Sequence, residues 1–302
     1  MAKQSGYRYI EPSAVAKLGK FNLIAKSVVE GFVTGLHRSP YHGFSVEFSD
    51  HREYVPGDNP RDLDWIALGR TDRLYIKRYE EETNLKAYIL LDTSASMGYK
   101  FKGLTKLEYS SYLAASLAYL MIRQSDSVGL ITFDTEIRTF IPPHSTPSHL
   151  NLLLHKLEEI APSEKTHIGQ AFHELAEHVK RRGLIIVISD LVDLFVNNSR
   201  VVQGLSHFRH KKHEVIVFHV FDKAELDFPF QRLSDFVDME TRERLQVDPK
   251  YVRDEYLNLI EEFKKEFQNE CTLKNIDYVP TDTSTPYDFM LTKYLSRRKR
   301  IR

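Results

Sequence analysis

An α/β fold with an open, mostly parallel sheet and helices on both faces is what this sequence predicts, on three observations. Lys86–Leu91, Leu184–Ser189 and Glu214–Phe221 are apolar runs long enough for strands buried on both sides and too short for helices. Stretches with helical spacing separate them, the alternation that a parallel sheet requires. Two of the runs lead into oxygen-bearing side chains at Asp92 and Asp190, and open α/β sheets bind ligands at the carboxyl ends of their strands.

Composition narrows the functional classes. A chain of 302 residues is ample for one large domain or two modest ones. Lys plus Arg and Asp plus Glu both number 42, so no global field favours nucleic acid or acidic lipid. One cysteine, Cys271, excludes an internal disulfide and any multi-cysteine zinc site, and fits a reducing compartment. The opening MAKQSGYRYIEPS has no apolar core of the signal-peptide kind, and Tyr112–Ile122 spans only about half a bilayer. These features predict a soluble cytoplasmic protein without a transmembrane segment.

In chain order, residues 1–83 form an N-terminal extension packed on a main domain of residues 84–302. Pro12–Leu18 opens a weak helical pattern, continued by Leu23, Ile24, Val28, Val29, Phe32 and Val33 up to Gly35. Ser45–Phe48 and Leu74–Tyr79 alternate like strands, with the turn cluster Pro56-Gly57-Asp58-Asn59-Pro60 between them. Arg61, Asp62, Asp64 and Trp65 follow at once. Two readings stand for them: Trp65 plugs a core while Arg61 and Asp64 satisfy loop backbone, or the four form a recognition surface.

After the strand at Lys86, Leu107–Arg123 reads as a helix with Leu113, Leu117, Leu120 and Met121 on one side. Ser127–Phe133 is the next strand, Ile137–Ile141 pairs with it, and Pro142-Pro143 ends that unit. A helix starts at Pro147 or Ser148, and another runs from the Thr166-His167-Ile168-Gly169 loop through Val179. A helix at about 197–207 precedes the strand at Glu214. Residues 228–248 read as a β-hairpin insertion, with strands at Leu233–Met239 and Glu243–Val247. A long helix runs from Asp248 or Pro249 to Asn269, Asp277–Val279 is a last strand, and Pro286–Leu295 a closing helix before the basic tail SRRKRIR.

Three strand ends thus offer hard oxygen donors: Asp92, Ser94 and Ser96 in a D-x-S-x-S pattern, Thr166 before a helix, and Asp190 after LIIVIS. Such donors suit Mg²⁺ or Mn²⁺. Their order and spacing resemble the metal-ion-dependent adhesion site of von Willebrand factor A domains. There two serines and a threonine contact the ion, and the aspartates act directly or through waters. KTHIGQAF resembles the usual threonine loop and VISDLVD the second aspartate strand. In addition, EFSDHREYVPGDNPRDLDWIALGRTDRLYIKRYEEETN resembles the signature of domain-of-unknown-function family fifty-eight. That family joins such an extension to a von Willebrand factor A-like (Rossmann-like) domain. The resemblance implies a non-enzymatic, Mg²⁺-dependent interaction module. Its implied partner is a MoxR-type AAA+ ATPase or that ATPase's client, with chaperone-like roles in complex assembly.

The residues themselves support a cation site open to a carboxylate from elsewhere. The neutral hydroxyls of Ser94, Ser96 and Thr166 leave such an ion electron-poor, and useful affinity for a partner requires an interface of ordinary size around it. An alternative is a Mg²⁺-dependent phosphatase or hydrolase with Asp92 as nucleophile. Enzymes of the haloacid dehalogenase type resemble D-x-D at this position, whereas this chain has Ser94 in the second place. His207, His210 and His213 read as a solvated basic patch, and Cys271 as a half-buried structural residue.

Overall fold

A computed structural model describes residues 46–56, 58, 63–81, 85–123, 125–163, 168–179, 182–192, 194–239 and 241–285. The chain divides into two compact units, one of residues Glu30–Asn84 and one of Leu85–Arg302 together with Met1–Val29. The helical pattern expected in residues 1–35 and the closing helix expected from Pro286 lie outside the described residues.

In the smaller unit, strand β1 (Val46–Glu53) pairs antiparallel with β2 (Tyr75–Glu81), with a register shift between Phe48 and Asp50. Helix α1 (Trp65–Thr71) lies between them in the chain. Asp64 starts it as N-cap, its Oδ1 accepting from Ile66 N at 2.9 Å and Ala67 N at 3.1 Å. The left-handed backbone of Asp72, φ 58°, ends it. Of the two readings for Trp65, the core plug does not hold: this first residue of a seven-residue helix is 66% exposed.

The larger unit is built on six strands. β3 (Lys86–Asp92), β4 (Ser127–Phe133), β5 (Ile137–His144), β6 (Leu184–Ser189), β7 (Glu214–Phe221) and β10 (Asp277–Asp282) lie in the order β10-β7-β6-β3-β4-β5. All pairings are parallel except β4 with β5. Counted from β3, this is the 3-2-1-4-5-6 order of a doubly wound sheet. The α/β architecture expected from the sequence is therefore present.

Alternation of side chains across the strands gives the sheet two apolar faces. Tyr88, Leu90, Val187 and Val217 join one buried cluster with Phe172 and Leu175 of α4 (Ile168–His178) and Leu205 and Phe208 of α5 (Leu194–His210). Ala87, Ile89 and Leu91 point the other way, where α2 (Lys106–Arg123) packs, with Leu113, Leu117, Leu120 and Met121 all buried. α3 (Pro147–Glu159) packs against α2, capped by Thr146 and opened by Pro147.

Two strands run further than the sequence suggests. β5 continues through Pro142 and Pro143 to His144, which pairs with Val128, because an edge strand can accept prolines that a central strand cannot. β10 at the opposite edge extends to Asp282 and includes Pro280. Gly129 lies under the first of these edges, where a Cβ would come within 2.7 Å of Ile141 O.

A short helix, α6 (Lys223–Asp227), follows β7 and is opened by a capping box between Asp222 and Glu225. The expected hairpin is formed by β8 (Ser234–Val237) and β9 (Arg244–Val247), and α7 (Pro249–Leu273) follows, capped by Asp248. Phe228, Phe230 and Phe236 seat the hairpin in mutual ring contacts.

His213 corrects the reading of a solvated histidine patch. It is buried, its Nδ1 accepting from Gly183 N at 3.2 Å and its Nε2 donating to Val179 O at 3.3 Å. Cys271 is fully buried rather than half-buried, and burial pushes its thiol up to about 12.

Candidate functional site

The strand order reverses between β3 and β6, and the crevice at such a switch point lies outside the carboxyl ends of the strands. Asp92 ends β3 and Asp190 directly follows β6. The register pairs Leu91 with Ile188, so the next residues on both strands are neighbours. Ser189 Oγ donates to Asp92 Oδ2 at 2.5 Å and accepts from Leu191 N at 2.9 Å. Leu191 has a left-handed backbone, φ 51°, unusual for a residue with a branched side chain. That conformation turns the chain sharply just past Asp190.

The D-x-S-x-S loop is fixed from within. Asp92 Oδ1 accepts from Ser94 N at 2.9 Å, an Asx turn, and a 3₁₀ turn follows at Ala95–Gly98. The hydroxyls of Ser94 and Ser96 lie 3.0 Å apart, both buried. Thr93, a position the pattern leaves open, ties the loop down: its N and Oγ1 both donate to Phe133 O, at 2.8 and 3.0 Å. Ser163 N donates to Thr93 O at 2.7 Å, and a Cβ on Gly98 would come within 3.1 Å of Pro162. Hence the 160–163 loop packs against the D-x-S-x-S loop.

Of the residues expected at the site, Asp92, Ser94 and Ser96 come together and Asp190 stands beside them. Burial pushes the Asp92 carboxyl up to about 7, and the charge of Asp190 adds to this, while bonds from Ser189 and Ser94 work against it. Thr166 lies outside the described residues. So do Arg61 and Asp62 of the expected recognition surface, where Asp64 is buried as a helix cap.

Sequence reading missed a polar network behind Asp190. Lys106 Nζ, buried, donates to Asp190 Oδ2 at 2.7 Å and to Glu225 Oε1 at 2.8 Å. Glu225 Oε2 accepts from Asp222 N at 2.6 Å, and Asp222 Oδ2 accepts from Phe101 N at 3.1 Å. Burial works to lower the Lys106 ammonium, but Asp190 and Glu225 outweigh it and raise its pKa. Burial raises Glu225 in turn, against the pull of Lys106. The 2.8 Å contact between them has the length of a charge-assisted bond. His219 Nε2 donates to Asp190 O at 2.8 Å while its Nδ1 accepts from Tyr278 OH at 2.9 Å, and burial pushes this imidazole down to about 3.

The donor set is thus mainly hydroxyl and carboxylate oxygen. Among the described residues, no group of three or more His, Cys, Asp or Glu is placed to hold a metal. Two buried carboxylates close enough for one to raise the other, beside two hydroxyls, form a set that a hard divalent cation fits. No helix among the described residues is long and apolar enough to cross a membrane.

Comparison with known proteins places these features in context. The chain is 23% identical over 222 residues to Uncharacterized protein Rv1480 of Mycobacterium tuberculosis, covering 72% of this chain and 68% of that protein. A solved structure described as conserved hypothetical protein BatB from Bacteroides thetaiotaomicron is similar at 22% identity, with a TM-score of 0.48, over 72% of this chain and 99% of that one. A von Willebrand factor type A structure from Catenulispora acidiphila is similar at 9% identity, with a TM-score of 0.36, over 47% and 34% of the two chains. The family model described as Protein of unknown function DUF58 matches residues 50–266, well over half of the sequence, and this chain belongs to that family.

Proposed function

We propose that the chain is a non-enzymatic interaction module that engages a protein partner through a Mg²⁺ or Mn²⁺ ion held by Asp92, Ser94, Ser96, Thr166 and Asp190. The observation that carries this reading is the meeting of the Ser94 and Ser96 hydroxyls, 3.0 Å apart, with Asp92 at the switch point of the sheet. Ser163, three residues ahead of Thr166 in the chain, is bonded to the same loop, which supports including the threonine. When bound, the cation supplies a Lewis-acidic position to which a carboxylate of the partner can attach.

The chain's own residues orient and shield that position. Ser189 and the Ser94 amide hold the two oxygens of Asp92, and the serine hydroxyls offer neutral donors. Ser94 stands where a phosphatase of the aspartate-nucleophile type would carry its second carboxylate, which favours binding over turnover. The partner is a MoxR-type AAA+ ATPase or its client, in chaperone-like complex assembly, as the family resemblance implies. The test is affinity capture of that ATPase from the native organism by the full chain in Mg²⁺ and in EDTA. Capture should be lost in EDTA and with Ser94→Ala, while circular dichroism stays unchanged. Capture that persists in EDTA removes the metal from the mechanism.

A further inference from the structure

The larger unit has an open cavity of about 550 Å³ lined in part by Asp190, a volume typical of small-ligand sites. Its walls are Phe221 at the end of β7 and Tyr256, Leu259, Ile260 and Phe263 of α7. Its floor is the Lys106–Asp190–Glu225 ion cluster, and Glu262 and Glu266 stand at its exposed rim.

The charge of this lining is lopsided. Among the described residues, four carboxylates face one ammonium, and that ammonium is already bonded to two of them. Glu262 and Glu266 are four residues apart, on one face of α7, and neither is paired with a cation among the described residues. An anion would meet this excess of negative charge, and a neutral apolar molecule would leave the rim acids without partners. A cation on an apolar stem satisfies both parts. Its stem lies along Leu259 and Ile260, and its head pairs with the rim acids. Phe221, Tyr256 and Phe263 add aromatic rings to the lining, the kind of surface to which a flat cation is attracted. Guanidinium suits this better than ammonium, being planar, weakly hydrated and able to stack and pair at once.

We propose that this cavity binds an arginine side chain of a protein partner, with Glu262 and Glu266 pairing its guanidinium. The site shares Asp190 with the proposed ion site but draws its charge pairing from the rim acids of α7. It adds a second, basic determinant to whatever the carboxyl edge of the sheet recognises.

The test is a titration of the isotope-labelled full chain, followed by amide shifts, with N-acetyl-arginine methylamide and with the neutral citrulline analogue. Saturable shifts should appear in α7 and around Phe221 with the arginine compound and not with the citrulline one. The rim variant Glu262→Gln/Glu266→Gln should weaken binding at least about tenfold while the rest of the spectrum is unchanged. Equal binding of citrulline, unchanged affinity in the rim variant, or shifts elsewhere would overturn the proposal. Free arginine binding about tenfold better than the blocked compound would point to a small molecule and overturn the protein partner.

Discussion

Lys106 Nζ and Asp190 Oδ2 lie 2.7 Å apart with almost no solvent at either side chain, joining the start of α2 to the end of β6. Removing one member of such a buried pair strands the other. Lys106→Met leaves Asp190 and Glu225 facing one another without a cation, so it should destabilise the chain by about 3–5 kcal/mol. A denaturant melt reads this directly. Adding Glu225→Gln to the same variant should recover part of the loss, and a wild-type midpoint for Lys106→Met would show the pair to be inconsequential.

Asp126 carries a second buried carboxylate with a different consequence. Its Oδ1 accepts from Leu85 N at 3.2 Å, its Oδ2 has no partner among the described residues, and burial pushes it up to about 7 despite the Leu85 bond. Between about pH 4 and 7 the folded chain holds a proton that the unfolded chain releases, so this group's contribution falls as pH rises through that window and is flat above it. Asp126→Asn keeps the acceptor for Leu85 and removes the charge. Thermal melts should show it more stable than wild type above pH 7, with the gap closing towards pH 4.

His213 works in the opposite direction. Burial lowers its pKa from the ordinary 6.5, and Gly183 N needs the unprotonated Nδ1 as acceptor. The unfolded chain therefore takes up a proton first, and stability should decline as pH falls below about 6.5. His213→Asn retains an acceptor for Gly183. Its melting temperature should lack that acid-side slope, and an unchanged slope would assign it to other groups.

Helices α4 and α5 meet at Gly204. A Cβ there would come within 2.7 Å of Phe172 Cβ and 3.4 Å of its ring. Gly204→Ala should cost about 1–3 kcal/mol from overpacking, outweighing the gain of about 1 kcal/mol in helix propensity. A stabilised variant would mean that the two helices separate readily.

β4, β6 and β7 were readable at residue precision, and β3 to within one residue, because strands buried on both faces are uninterrupted apolar runs bounded by polar residues. β5 was cut short because prolines ordinarily stop strands, and only its place at the edge of the sheet allows them. Helix α6 escaped notice because five residues carry no periodicity; its capping box was the available signal. At the site, the D-x-S-x-S loop is local and legible. Ser189 and Lys106 are not, since their partners lie 97 and 84 residues away in sequence. The serine in VISDLVD was in view, but only the register of β3 with β6 aims it at Asp92.

The prolines at the two margins of the six-stranded sheet have one last implication. Pro142 and Pro143 on β5 and Pro280 on β10 remove amide donors from both open ladders. An incoming chain finds an interrupted row of donors at either border, so self-association by sheet extension and peptide capture by β-augmentation are both disfavoured. Recognition is thereby channelled to side chains at the loop-bearing end and along the helices.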